Sequence, residues 1–123
     1  MPAPLYTVAT GFNLSAIMRR AWAIRAERKA RIAGMNLSAG ERREFAKEQR
    51  REPLRLAWAE AHAERRAAQR AAEVAARNAV IPLAERIARA EQLEHDAFGL
   101  HCSGGSIHRV YAMQQEAREL RAA

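Results

Sequence analysis

The stretch that decides the fold is NLSAIMRRAWAIRAERKARI, residues 13–32. Its apolar residues recur at three- and four-residue spacing, the repeat that places side chains on one face of an α-helix. This stripe consists of Leu14, Ile17, Met18, Ala21, Ile24 and Ile32, with Trp22 at its edge. The opposite face carries Arg19, Arg20, Arg28 and Arg31. Asn13 or Ser15 is a suitable N-cap and Gly34 a suitable end, so the stretch predicts an amphipathic first helix.

The rest of the chain also favours helix over strand, because Ala, Arg, Leu and Glu dominate and are strong helix formers. Ser38 and Glu41 have capping-box spacing, which predicts a second helix ending near Glu52. Pro53 and Pro82 are expected to kink or restart the chain, since proline lacks an N–H and clashes with the preceding turn. Further helices are predicted at 54–79, 83–98 and 106–120. The sequence thus predicts an all-α bundle of about five helices.

A length of 123 residues fits one domain. We expect an irregular, extended N-terminal arm over residues 1–12 and a single helical domain over 13–123. The only cysteine is Cys102, so an intrachain disulfide is excluded. No apolar run approaches the roughly 20 residues that span a bilayer, and the opening residues lack the pattern of a signal peptide. We therefore expect a cytoplasmic protein with no membrane partner.

The net charge of +7 is concentrated in one half of the chain. Residues 13–70 contain 15 Lys or Arg and 7 Asp or Glu, whereas residues 71–123 contain 6 and 7. Such asymmetry favours an anionic partner, either nucleic acid or an acidic protein surface. The alternative is that the arginines only keep the helices soluble.

The strongest candidates for a binding surface lie in the charged second helix, which is too polar to form core. These residues are Arg42, Arg43, Lys47, Arg50 and Arg51, joined by Arg19, Arg20 and Arg28 from the first helix. Arginine forks suit phosphates and carboxylates alike, so composition does not choose between the two classes of partner. Helical spacing predicts that four glutamates reduce this positive potential by pairing: Glu41, Glu44, Glu48 and Glu52.

One group of residues invites a metal or catalytic interpretation: His95, His101, Cys102 and His108. Their pattern, H-x₅-H-C-x₅-H, lacks the paired short spacings of structural zinc sites. The alternative is that the histidines flank helix ends and Cys102 packs as a small hydrophobe. A Cys–His nucleophile pair would also need an orienting third residue, and none is visible. We expect no cofactor and no enzymatic activity.

Two tryptophan segments resemble a known group of proteins. FNLSAIMRRAW, residues 12–22, resembles an F-N-x-S-x-I-M-x-x-A-W pattern, and LRLAWAEA, residues 54–61, is similar to its companion, L-x-x-A-W-A-E-A. Together they resemble the N-terminal helical pair of small accessory proteins carried by phages, prophages and plasmids of Proteobacteria. The resemblance covers residues 12–64. The connection between the helices looks longer here, and the part after residue 80 has no counterpart.

The resemblance implies a mobile-element origin and a role against host defences such as CRISPR or restriction, and it implies no catalytic residues. We therefore expect a non-enzymatic, anti-CRISPR-like inhibitor whose partner is a host protein or nucleoprotein complex in the bacterial cytoplasm. A small basic nucleic-acid-binding protein is the alternative, and a homodimer stays open. Trp22 and Trp58 are predicted to be core anchors that pack near each other.

Overall fold

The structure, a computed structural model, describes residues 1–122. Over this range the chain forms a two-stranded antiparallel hairpin followed by four α-helices. The strands are β1 (Tyr6–Thr7) and β2 (Gly11–Phe12). The helices are α1 (Leu14–Ala33), α2 (Ala39–Val80), α3 (Leu83–Cys102) and α4 (Ile107–Arg121). The predicted all-α class is confirmed in its broad form, and the predicted number of five helices is wrong.

The difference in number arises at Pro53, which lies inside the continuous helix α2 instead of dividing it. An interior proline costs about 3 kcal/mol because it removes a hydrogen bond and crowds the preceding turn. Here the Pro53 ring is buried and lines a recess with Met18 and Ala21 of α1. This packing offsets the local penalty. At Pro82 the prediction is confirmed, because α2 ends at Val80 and Pro82 precedes α3.

The N-terminal arm is more regular than predicted. Tyr6 pairs with Phe12 and Thr7 with Gly11, whose positive φ of 74° suits a glycine at the turn. The backbone N–H groups of Leu5 and Tyr6 donate to Glu64 Oε2 at 2.8 and 3.0 Å. Leu5 itself is buried. The arm is thus a small hairpin held against α2. The sequence did not predict it, because strands of two residues are too short to show the alternation typical of a β-strand.

The chain divides into two compact units, Met1–Gln69 (unit 1) and Arg70–Ala123 (unit 2). In unit 1, α1 and the first part of α2 run antiparallel, since Arg20 pairs with Glu60 and Arg28 with Glu52. Their core consists of Leu5, Ala16, Ile17, Ala21, Ile24, Ala57 and Ala61. The boundary between the units falls within α2, so the predicted single domain over 13–123 stays a prediction.

In unit 2, Ala90, Ala117 and Leu120 form a small core with Leu93 packed against it. Carbonyl groups in the last turn of a helix lack the regular partners of its interior. Asn78 Nδ2 donates to the carbonyl of Glu119 at 2.7 Å, and Arg86 donates to that of Ala122 at 2.7 Å. These bonds fix the end of α4. Within residues 1–122, no helix combines the length and apolar character needed to cross a membrane.

Candidate functional site: a basic groove between α1 and α2

A groove of about 610 Å³ lies between α1 and the start of α2 in unit 1. Its apolar lining consists of Ala26, Ile32, Phe45 and Ala46, and its cationic lining of Arg25, Lys29, Arg42 and Arg50; Trp22 and Gln49 complete it. We call it the basic groove. Its lining contains no carboxylate, imidazole, thiol or hydroxyl group. The groove therefore offers positive charge beside apolar surface, and Lys29 is the one lining side chain of a type that can act as a nucleophile or general base.

The cations of the groove are free to meet an external anion. Over residues 1–122, no carboxylate oxygen lies within 4.0 Å of the charged nitrogens of Arg25, Lys29, Arg42 or Arg50. An exposed arginine without a partner keeps its full hydrogen-bonding fork for a ligand.

Three of the four glutamates that were predicted to pair with these cations are engaged elsewhere. Glu41 Oε2 accepts from the backbone N–H of Ser38 at 2.7 Å, which confirms the predicted capping box and lowers the pKa of Glu41. Glu44 pairs with Lys47 at 3.0 Å. Glu52 pairs with Arg55 at 2.7 Å. The predicted pairing thus reaches Lys47 through Glu44 and Arg28 through Glu52. Within residues 1–122, Glu48 forms no ion pair and the groove cations have no carboxylate partner.

Apart from Lys47 and Arg20, the predicted binding residues divide into three groups. Arg42 and Arg50 line the basic groove. Arg28 borders the neighbouring recess around Met35 and pairs with Glu52 at 3.9 Å. Three others are exposed and unpaired within the described part of the chain, outside the groove lining: Arg19, Arg43 and Arg51.

Arg20 is held inside unit 1 rather than offered to a ligand. Its guanidinium donates to both carboxylate oxygens of Glu60, at 2.7 and 3.0 Å, and these bonds raise the pKa of Arg20. This bidentate ion pair joins α1 to α2. We therefore assign Arg20 to the packing of the helices and not to the binding surface.

Trp22 departs from its prediction. Its side chain is 60% exposed, with the Arg25 guanidinium 5.4 Å from the ring centroid. Its assignment as a core anchor is wrong. Trp58 is half-buried, packs against the core, and has the ring of Phe12 at 5.4 Å. The predicted contact between the two tryptophans is absent from the aromatic contacts of residues 1–122, where Trp58 neighbours Phe12 and His62.

The reason lies in how much of α1 its partner covers. The apolar face of α1 is wide. The fully buried residues that α2 contributes to the core are two alanines, Ala57 and Ala61, with the half-buried Leu56 and Trp58 packed beside them. Small side chains allow close approach but cover a narrow strip. Ile17 and Ala21 lie under that strip, and Trp22 lies beyond it. Periodicity placed Leu14 and Met18 on one face with Ile17, Ala21 and Ile24, yet Leu14 and Met18 are exposed. Periodicity carries no information on the width that the partner helix covers.

Several lining residues were missed as site residues by sequence reasoning. Phe45 is the one large apolar side chain in the charged segment 39–52, and it is half-buried in the groove beside Ile32. An isolated aromatic in a charged helix was the available signal, because such a residue needs an apolar neighbour. Arg25 and Lys29 belong to the basic set of the first helix, but the sequence did not distinguish them from its other cations as groove residues.

The weak metal candidates lie at the end of α3 and the start of α4, and Cys102 is exposed. In the part of the chain that the structure describes, no three His, Cys, Asp or Glu side chains are grouped so that they could hold a metal ion. His95, His101, Cys102 and His108 therefore do not form a metal site here.

The basic groove is the arrangement in unit 1 that can bind a ligand, and its chemistry is complementary to a partner with both negative charge and apolar surface. Comparison with known proteins found no matching family model, no matching curated protein and no matching solved structure.

Proposed function

We propose that the protein is a non-enzymatic binding protein of mobile-element origin that inhibits a host defence complex. The complex would be of the CRISPR type, and the protein would act by covering a surface or a nucleic-acid channel. The observation that supports binding is the basic groove, where unpaired cations border an apolar lining. The proposed origin rests on the resemblance of residues 12–64 to small phage and plasmid accessory proteins.

Binding rather than chemistry follows from the kinds of side chain in the groove. Arginine and tryptophan dominate the affinity of protein interfaces, where single truncations cost about 2 kcal/mol or more. The lining holds Arg25, Arg42, Arg50 and Trp22. An inhibitor needs only affinity and the ability to exclude the natural ligand.

The test is a phage plaque assay in a bacterial strain with an active CRISPR system. The parent protein should restore plaques on the immune strain. The double variant Arg42→Glu/Arg50→Glu should not restore them. A matched control, Arg66→Glu/Arg109→Glu, makes the same change of charge at exposed arginines outside the groove and should behave like the parent. Equal activity of all three proteins, or inactivity of the parent against CRISPR and restriction alike, would reject the proposal.

A second function, nucleic-acid binding, is favoured by the charge of unit 1, which contains 14 Lys or Arg and 7 Asp or Glu. Its test is a pull-down from bacterial lysate with and without nuclease. Loss of every partner after nuclease treatment would favour this second function. Direct binding should also weaken steeply between about 50 and 200 mM salt, because bound cations release counterions from the phosphates.

A further inference from the structure

The first helix carries a second apolar row that stays largely exposed among residues 1–122. Leu14, Met18 and Trp22 recur every four residues and are 62%, 47% and 60% exposed. Leu54 of α2 adds to this surface. The buried row of α1 contains Ile17, Ala21 and Ile24. Large apolar side chains grouped on a surface mark interaction sites more often than single ones do.

The exposed row is continuous with the basic groove. A recess lined by Met18, Pro53 and Leu54 shares four of its lining residues with the groove: Trp22, Arg25, Gln49 and Arg50. Apolar surface and unpaired cations therefore form one surface, which we call the α1–α2 docking surface. It comprises the row, the recess and the basic groove.

The composition of the docking surface favours a protein over a nucleic acid. Tryptophan, methionine and arginine are the residue types enriched at protein interfaces. A single-stranded nucleic acid is bound by several aromatic rings that stack on successive bases. Here one exposed ring is present among the lining residues, and the Arg25 guanidinium lies against it. The aliphatic side chains of Leu14 and Met18 would have no use along a phosphate backbone.

Charge argues against a second copy of this chain as the occupant. In a two-fold symmetric dimer the same patch meets itself, so residues near the axis face their own copies. The groove lining contains four cations and no anion. Such a contact would bring like charges together, whereas an acidic partner would be attracted.

We propose that the α1–α2 docking surface binds an acidic amphipathic helix of a partner protein. The apolar side chains of that helix would cover Met18, Trp22 and the groove lining. Its carboxylates would meet Arg25, Arg42 and Arg50. An amphipathic helix in a groove between two helices is a recurrent mode of recognition, with anchors at i, i+3, i+4 and i+7. The inference rests on the proposed binding function and names the chemistry of its partner.

The experiment uses the full chain and three labelled probes. The first is a synthetic amphipathic helical peptide of about 20 residues with Leu and Phe on one face and Glu on the other. The second is a peptide of the same composition with its apolar face scrambled. The third is a single-stranded oligonucleotide of about 20 nucleotides. Binding is measured by fluorescence anisotropy. In a Trp58→Phe background the emission of Trp22 is recorded as well, because burial of its ring shifts that emission to the blue.

We expect the amphipathic peptide to bind at least about tenfold more tightly than the other two probes and to shift the Trp22 emission. Trp22→Ala and Arg42→Glu/Arg50→Glu should each weaken it by about tenfold or more, with Arg66→Glu/Arg109→Glu unchanged. Equal binding of the two peptides would overturn the inference, as would tighter binding of the oligonucleotide. A concentration-dependent dimer abolished by Trp22→Ala would assign the surface to a second copy instead.

The two proposals fail separately. If the protein restores plaques while the peptides bind equally, the inference is wrong and the inhibitory function stands. If the amphipathic peptide is preferred while the protein never restores plaques, the docking surface stands and the proposed inhibition is wrong.

Discussion

Both compact units contain internal ion pairs, but they differ in the balance of their charges. Unit 1 contains 14 Lys or Arg and 7 Asp or Glu, and the cations around its groove have no carboxylate partner among residues 1–122. Unit 2 contains seven of each. There Arg70 donates to both carboxylate oxygens of Glu119, at 3.0 and 2.7 Å. An ion pair inside a unit supports its packing, whereas an unpaired cation is available to a ligand. The basic groove is therefore a feature of unit 1.

The largest effect expected from this comparison concerns the affinity for the inhibited complex. Central charges at an interface contribute about 2 kcal/mol or more each. Arg42→Glu/Arg50→Glu should therefore weaken binding on the order of a thousandfold. Because both residues are exposed and have no carboxylate partner within residues 1–122, the melting temperature should stay close to that of the parent. Calorimetric titration and thermal denaturation measure the two quantities. A large fall in stability would show that these arginines support the fold.

A second prediction separates the two apolar rows of α1. Ile17 is 1% exposed, so Ile17→Ala should lower the free energy of unfolding by about 2–5 kcal/mol. Trp22→Ala removes a larger side chain but should cost less than about 1 kcal/mol, because most of that side chain is already in water. Urea denaturation monitored by circular dichroism gives both values. Equal losses would mean that Trp22 is part of the core.

A third prediction tests unit 2 at the turn between α3 and α4. A Cβ added at Gly105 would lie 2.5 Å from Leu100 Cγ and 2.9 Å from the Leu100 carbonyl oxygen. That oxygen also accepts from the Gly105 N–H at 2.9 Å. Gly105→Ala should therefore destabilise the protein by about 1–3 kcal/mol. Gly99→Ala is the matched control, since nothing lies within 4 Å of its added Cβ. Similar stabilities of the two variants would contradict the close approach of Gly105 to Leu100.

The smallest predicted effect is the pH dependence of the Arg70–Glu119 pair. The bonds from Arg70 lower the pKa of Glu119 in the folded protein. As the pH falls, Glu119 becomes protonated in the unfolded chain first, around the ordinary glutamate pKa of about 4.3, and in the folded protein only at lower pH. The stabilisation is therefore complete at neutral pH and is lost as the pH falls through the lowered pKa. The melting temperatures of the parent and Glu119→Gln should differ at pH 7 and converge in acid. A difference in melting temperature that does not change with pH would show that the charge of Glu119 does not contribute to stability.

Local signals predicted the helix starts better than the ends, since the helix predicted over 83–98 continues to Cys102. Asn13 Oδ1 accepts from the Ala16 N–H at 3.0 Å, as an N-cap should. The Ser38–Glu41 capping box and the break before Pro82 are also present. Each of these depends on residues a few positions apart. Interactions between residues so close in sequence can be predicted from the sequence alone.

Three features could not be predicted because they depend on distant contacts. Pro53 stays helical because its ring packs against α1. The hairpin is held by Glu64, far along the chain. For the site, the exposure of Arg42 and Arg50 followed from the polarity of their helix. That these two arginines line one groove with Trp22 could not be predicted, because it depends on how α1 and α2 pack.

The attachment of the N-terminal hairpin also has a kinetic consequence. The bond from the Leu5 N–H to Glu64 joins residues 59 positions apart. Such long-range contacts form late, since the intervening chain must be ordered before they stabilise anything. The hairpin is therefore expected to dock after α1 and α2 have paired, and to detach while they stay paired. In hydrogen exchange, the amides of Leu5 and Tyr6 would then exchange through a local opening, well before those at the centre of α1.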